Sequence, residues 1–183
     1  MNVSSYWLVT GGAMVPMILV ASWIDYRQHR IPNKLNLLLA ASGLIVQMGF
    51  FGVQGLVTGA EGLALGLALL IVPWAMHLMG AGDVKLLAGV GAWLGPGLVL
   101  KSFVVGALIG GVAAVVMIVL ARRIRPALTN LFLLGVKCSD AQLVFGDFGS
   151  VKQMGSQAQL LPYGVPLTAG TLLVLVCNFG GWW

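Results

Sequence analysis

Only five acidic side chains occur in a chain of 183 residues that is 59% hydrophobic, and two of them stand where chemistry is expected. Asp25 closes the first apolar run, Tyr6 to Ile24, and Asp83 ends the glycine-rich turn Gly80-Ala81-Gly82-Asp83 between two further apolar runs. Carboxylates at membrane spans are costly, so their retention there points to function. If both lie at one membrane face they form an acid pair. One carboxylate then draws a proton from water while the other protonates or polarises a carbonyl. Gly80 and Gly82 are expected to permit a backbone bend and a close approach that side chains would block. Asp83 then opens a helix, where free amides favour negative charge, and Asp25 ends one, where the dipole is reversed. On that basis the two carboxyls share one proton as a coupled pair, with the proton more often on Asp25. The same residues also fit a plainer account, in which Asp83 caps a helix and Asp25 balances the neighbouring arginines.

The elements that must position this pair are membrane helices. With 8% charged residues and several long apolar stretches, the chain reads as an all-α integral membrane protein. Five spans stand out: Tyr6–Ile24, Leu35–Val57, Gly62–Met79, Ser102–Ala121 and Leu161–Phe179. A sixth, Val84–Leu94, is short, roughly 16 Å of helix against a hydrocarbon core of about 30 Å. It is bounded by Gly95-Pro96-Gly97. No Lys or Arg precedes the first run, so it is expected to remain in the mature protein and not to act as a cleaved signal.

Six spans put Arg27, Arg30, Lys34, Lys85, Arg122, Arg123, Arg125, Lys137 and Lys152 on one side and leave only Lys101 on the other. The positive-inside bias makes the crowded side cytoplasmic, places both termini outside and brings Asp25 and Asp83 to the cytoplasmic face. Five spans would destroy that bias. The whole of residues 1–183 is expected to form one membrane domain. Residues 122–160 make a long cytoplasmic connection, within which apolar residues 127–136 fit an interfacial helix lying on the bilayer.

Other classes find little support. The net charge of +5 suits cytoplasmic loops facing anionic lipid, and no basic helix with interleaved aromatics speaks for nucleic acid. Cys138 and Cys177 lie far apart and on opposite sides of the expected topology, so neither a disulfide framework nor a zinc site is expected. His29 and His77 lack the partners a metal site needs, and no cofactor is implied. Trp7, Trp74, Trp93, Trp182 and Trp183 fit interfacial belts. Lys85, two past Asp83, suits either a substrate carboxylate or a role in keeping Asp83 ionised, and equally a cytoplasmic anchor. Pro32 and Asn33 open the second span, with Asn33 a candidate hydrogen-bonding group near the site. Pro162 and Pro166 begin the last span. Gly62, Ala64, Gly66 and Ala68, with Gly106, Gly110 and Gly111, permit close helix approach.

The tracts Asp25-Tyr26-Arg27-Gln28-His29-Arg30-Ile31-Pro32-Asn33 and Gly80-Ala81-Gly82-Asp83-Val84-Lys85-Leu86-Leu87 resemble the two active-site segments of the type IV prepilin peptidases. Leu161-Pro162-Tyr163-Gly164-Val165-Pro166 is similar to that family's motif at the start of its last span. The resemblance implies a polytopic aspartyl endopeptidase that cuts the short basic leader of pilin-like precursors at the cytoplasmic membrane face. It implies Asp25 and Asp83 as the catalytic pair, the Gly80–Gly82 turn beside it, and Pro162, Tyr163 and Gly164 as supporting residues. Longer members carry a cysteine-paired zinc region associated with N-methylation. No Cys-x-x-Cys occurs here and five residues precede the first span, so methyltransferase activity is not expected. The compact form resembles the leader peptidases of tight-adherence (Flp) pilus systems. Two other readings stay open on the residues alone: a protease of the presenilin or signal-peptide-peptidase type, and a proton-coupled transporter with a carboxylate relay.

Overall fold

The structure is a computed structural model that describes residues 3–28, 30–75, 79–120 and 163–180. Among them every regular element is helical. Helix α1 (Val3–Val9) runs through one widened π turn at Thr10–Met14 into α2 (Val15–Gln28). Gly11 and Gly12 lower helix propensity there, and a widened turn frees a carbonyl. The Thr10 hydroxyl donates to the carbonyl of Tyr6 at 2.9 Å. Helix α3 covers Asn33–Ala75, α4 covers Ala81–Leu120 and α5 covers Gly164–Phe179. By length and composition Ser5–Gln28, Asn33–Ala75 and Ala81–Met117 can each cross a membrane, and Gly164–Phe179 is a shorter apolar helix.

Two glycines break the long helices. Gly52 in α3 has φ 63° and Gly95 in α4 has φ 75°, a region that L side chains rarely adopt. The expected spans put the first break nearer residues 58–61. The chain instead turns at Gly52 and continues as helix through Gly59 and Gly62, so the exposed Glu61 lies within α3 and not at its end. The second break falls at Gly95-Pro96-Gly97, the expected boundary. Pro96 follows it at the start of the next helical stretch, where a missing N–H costs nothing.

The halves of α3 fold back on each other. A Cβ on Gly59 would lie 3.1 Å from Leu44, and one on Gly55 would collide with the carbonyl of Gln47 at 2.1 Å. Residues 81–94 of α4 run between these halves. They lie parallel to the first, with Leu39 against Gly89 and Gly43 against Trp93, and antiparallel to the second, with Gly62 against Gly91 and Gly66 against Leu87. A Cβ on Gly91 would sit 2.1 Å from the Gly62 carbonyl oxygen, so the two backbones touch. Every residue from Leu86 to Gly95 is buried. The shortest expected span is therefore the central helix of the protein, apolar all round because protein surrounds it.

Helix α5 packs antiparallel to the second half of α4, Gly170 meeting Ser102 and Gly106, and Pro166 meeting Gly110. Of the expected packing glycines, Gly111 faces open space. Trp93 also departs from expectation. It is 1% exposed, donates its indole N–H to the Leu39 carbonyl at 2.9 Å and belongs to the core, not to an interfacial belt. Around it Met14, Ile18, Leu39, Leu86, Val90 and Leu175 form the larger apolar cluster. Residues 121–162, including the expected interfacial helix 127–136, lie outside the described residues, as do His29, His77, Pro162, Trp182 and Trp183.

Candidate active site

The end of α2 and the beginnings of α3, α4 and α5 converge at one end of the bundle. Asp25 lies near the end of α2 and Asp83 in the first turn of α4, and each is 5% exposed. The charge of Asp25 acts on the Asp83 carboxyl. Two acids far apart in sequence thus share one buried environment. Antiparallel and parallel packing around α4 makes that possible, because it returns every second helix end to the same level.

Asp25 is held from across the bundle. The backbone N–H of Gly164, the first residue of α5, donates to Asp25 Oδ2 at 3.0 Å. A Cβ at Gly164 would fall 2.7 Å from the same oxygen, so the contact requires glycine. The field at Asp25 is therefore not that of its own helix end alone, since the amino end of α5, with its unspent N–H groups, faces it. The expectation that the shared proton prefers Asp25 weighed only the ends of α2 and α4, and the amino end of α5 opposes it. Thr168, one turn into α5, donates to the Gly164 carbonyl at 2.6 Å and reaches the Ile18 carbonyl at 3.5 Å, fastening α5 to α2.

Asp83 is placed by its own turn. Its N–H donates to the Gly80 carbonyl at 3.2 Å, and its Oδ1 is buried with no hydrogen-bond partner among the described residues. The chain bends at Met79, beside Gly80 and just before α4, and neither Gly80 nor Gly82 has a positive φ, so that bend does not draw on left-handed backbone. Their needs differ. A Cβ on Gly82 would press on Ile31 at 3.1 Å, while one on Gly80 would stand an ordinary 3.6 Å from Asp83 Oδ2. Only Gly82 serves close approach.

The first turn of α3 backs that turn. Pro32 stands just before α3, its carbonyl accepting the N–H groups of Leu35 and Asn36 at 3.1 and 3.3 Å. Asn33 Oδ1 accepts from Lys85 Nζ at 2.9 Å, both side chains being exposed. Asn36 Nδ2 donates to the Gly82 carbonyl at 3.0 Å. The sequence reading passed over Asn36. Its signal was an amide three residues after Asn33 at the start of an apolar helix, where burial without a partner is expensive. Tyr163 is half-buried immediately before α5. Among the described residues no group of three His, Cys, Asp or Glu side chains forms a metal site.

A multi-pass helical protein with two buried aspartates at one end is the class that fold and site define. The type IV leader peptidase family model matches residues 13–115, a stretch that contains both aspartates, and the chain belongs to that family. It is 36% identical to the prepilin leader peptidase/N-methyltransferase of Neisseria gonorrhoeae over 133 residues, covering 67% of this chain and 46% of the relative. The protein of the same name in Aeromonas hydrophila is 36% identical over 60% of this chain and 42% of its own length. That of Burkholderia pseudomallei (strain 1026b) is 38% identical over 52% and 34%. The matched stretches span less than half the length of these curated relatives. No solved structure matches.

Proposed function

We propose that this chain is a membrane-embedded aspartyl endopeptidase that removes the short basic leader of type IV or Flp prepilins and pilin-like precursors. The observation that carries the reading is the meeting of Asp25 and Asp83, from two helices, in one buried and electrostatically coupled site. Membership of the leader peptidase family supports the substrate class. Cleavage takes place at the cytoplasmic face of the bacterial inner membrane, where the basic loops of a six-span topology with outside termini would lie. The helix breaks at Gly52 and Gly95 support six passages.

In this mechanism Asp25, held by the Gly164 N–H, takes a proton from the attacking water. Asp83 gives a proton to the scissile carbonyl oxygen, Oδ1 being its unpartnered atom. The tetrahedral adduct then collapses. The C–N bond breaks, the leaving amine takes the proton gained by Asp25, and Asp83 recovers its own. Gly82 and Gly164 keep the two carboxyls in place, and Tyr163 borders the amino end of α5; Pro162 is proposed as a supporting residue of the same motif on the sequence alone. Pro32 and Asn33 shape the opposing turn, and Lys85 is a rim residue tied to Asn33. No metal or other cofactor enters these steps. Membrane lipid is the medium, and nucleic acid is no partner. The relatives' names join peptidase to N-methyltransferase; for this chain only the peptidase is proposed, the 183 residues holding no Cys-x-x-Cys pair.

The test is cleavage of a basic-leader pilin precursor by purified protein in liposomes. Wild type is expected to release the leader, and Asp25→Asn and Asp83→Asn each to lose about 10²- to 10⁴-fold in rate while remaining folded. Cleavage that survives either substitution refutes the pair. A wild type that leaves precursors intact but carries protons with a solute would be the transporter instead. Mass analysis of the trimmed product for a methyl group checks the second activity.

A further inference from the structure

We infer that Asn36 is a positioning residue for Asp83, retained for the reaction and not for stability; this rests on the proposed peptidase reading. Its Nδ2 donates to the carbonyl of Gly82, the residue joined directly to Asp83. Its Oδ1, on a side chain 3% exposed, has no hydrogen-bond partner among the described residues. Asp83 Oδ1 is in the same condition one residue along. Two buried oxygen atoms without a partner therefore belong to residues joined through the Gly82 carbonyl, in an apolar bundle where either is ordinarily costly. The Gly82 carbonyl belongs to the first turn of α4 and has the helical ladder for its other hydrogen bond, so folding does not need Asn36 to satisfy it.

What the amide adds is direction. Gly82 cannot move toward α3, because Ile31 is already against it, and the Asn36 bond keeps it from moving away. Asp83 is thereby fixed in depth and rotation relative to Asp25. The exposed Asn33–Lys85 bond on the same two turns supplies no such constraint, being free to exchange with water. An apolar residue of similar volume at position 36 would leave no unmatched acceptor of its own. With the Gly82 carbonyl still in the helical ladder, no further buried group is left without a partner, so the replacement is expected to be close to neutral for folding.

The experiment pairs turnover with thermal unfolding of Asn36→Leu and Asn36→Gln in the same liposomes or micelles. Asn36→Leu is expected to lose about 10- to 100-fold in kcat with KM within about twofold of wild type, as a slight misplacement of a reacting group does. Its Tm should equal or exceed that of wild type. Asn36→Gln, which keeps the carboxamide, is expected to recover most of the lost kcat. A fall in Tm, a failure of Asn36→Leu to fold, or unchanged kcat overturns the inference, since Asn36 would then be structural or idle. Carbodiimide labelling of the carboxyls, mapped by mass spectrometry, gives a readout independent of turnover. Asp83 should label several-fold faster in Asn36→Leu while Asp25 changes less than about twofold, and equal labelling of Asp83 in both proteins overturns the inference. If wild type does not cut precursors, the peptidase reading fails on its own and labelling still judges the positioning.

Discussion

The two ends of the bundle are both polar, and they are built to opposite specifications. At the far end, about 15 Å along α4 from Asp83, Tyr6 and Gln47 converge on the carbonyl of Trp93. The Tyr6 hydroxyl donates to that carbonyl, and Gln47 Nε2 donates to it at 2.9 Å and to Tyr6 Oη at 3.2 Å. Trp93 in turn donates to Leu39. The carbonyl needs these partners because the chain leaves helical geometry at Gly95, two residues later. None of these side chains is among those with a buried atom lacking a partner. At the near end, Asn36 and Asp83 each keep one such atom. A matched network fixes a fold, whereas an unmatched one is tolerable where a substrate or water supplies the missing partner. The same helices thus carry structure at one end and a candidate site at the other.

Substitutions can break that division. After the two aspartates, the largest effect is expected from Gly164→Ala, which would put a Cβ 2.7 Å from Asp25 Oδ2. Leader cleavage should fall by about 10²-fold, measured under single turnover on protein shown to be folded. Full activity in the Gly164→Ala protein would mean that α5 does not set the position of Asp25. Tyr6→Phe should act the other way. Loss of one hydrogen bond to the Trp93 carbonyl is expected to cost about 1 kcal/mol in unfolding while cleavage stays within about twofold. A cleavage defect as large as that of Gly164→Ala would erase the distinction between the two ends. Lys85→Ala should do least, within about 0.5 kcal/mol and twofold in rate, because the Lys85–Asn33 pair is exposed. A tenfold rise in KM there would instead give Lys85 a substrate carboxylate.

Part of this was legible in the residues. Asp25 and Asp83 stood out because carboxylates are scarce in so apolar a chain, and the Gly95-Pro96-Gly97 break was marked by residues that cannot continue a helix. The break at Gly52 was not, since Gly49, Gly52, Gly55 and Gly59 offer equivalent choices locally. Packing selects Gly52, because Gly55 and Gly59 are consumed where the two halves of α3 touch. Trp93 was misplaced for a related reason. A tryptophan near a span end suits an interface, but this one found a buried carbonyl on a neighbouring helix.

Composition and local pattern determined that the chain is helical, crosses a membrane and carries two costly acids, because hydrophobic runs and the price of a charge in lipid are properties of single segments. Tertiary structure alone decided that the first half of α4 is central, that the Gly164 N–H reaches Asp25, and that Asn36 holds the Asp83 turn. Those are relations between residues dozens or more than a hundred positions apart. Such pairings follow from which backbones can touch, and backbone contact through glycine leaves no periodicity in a sequence to announce its partner.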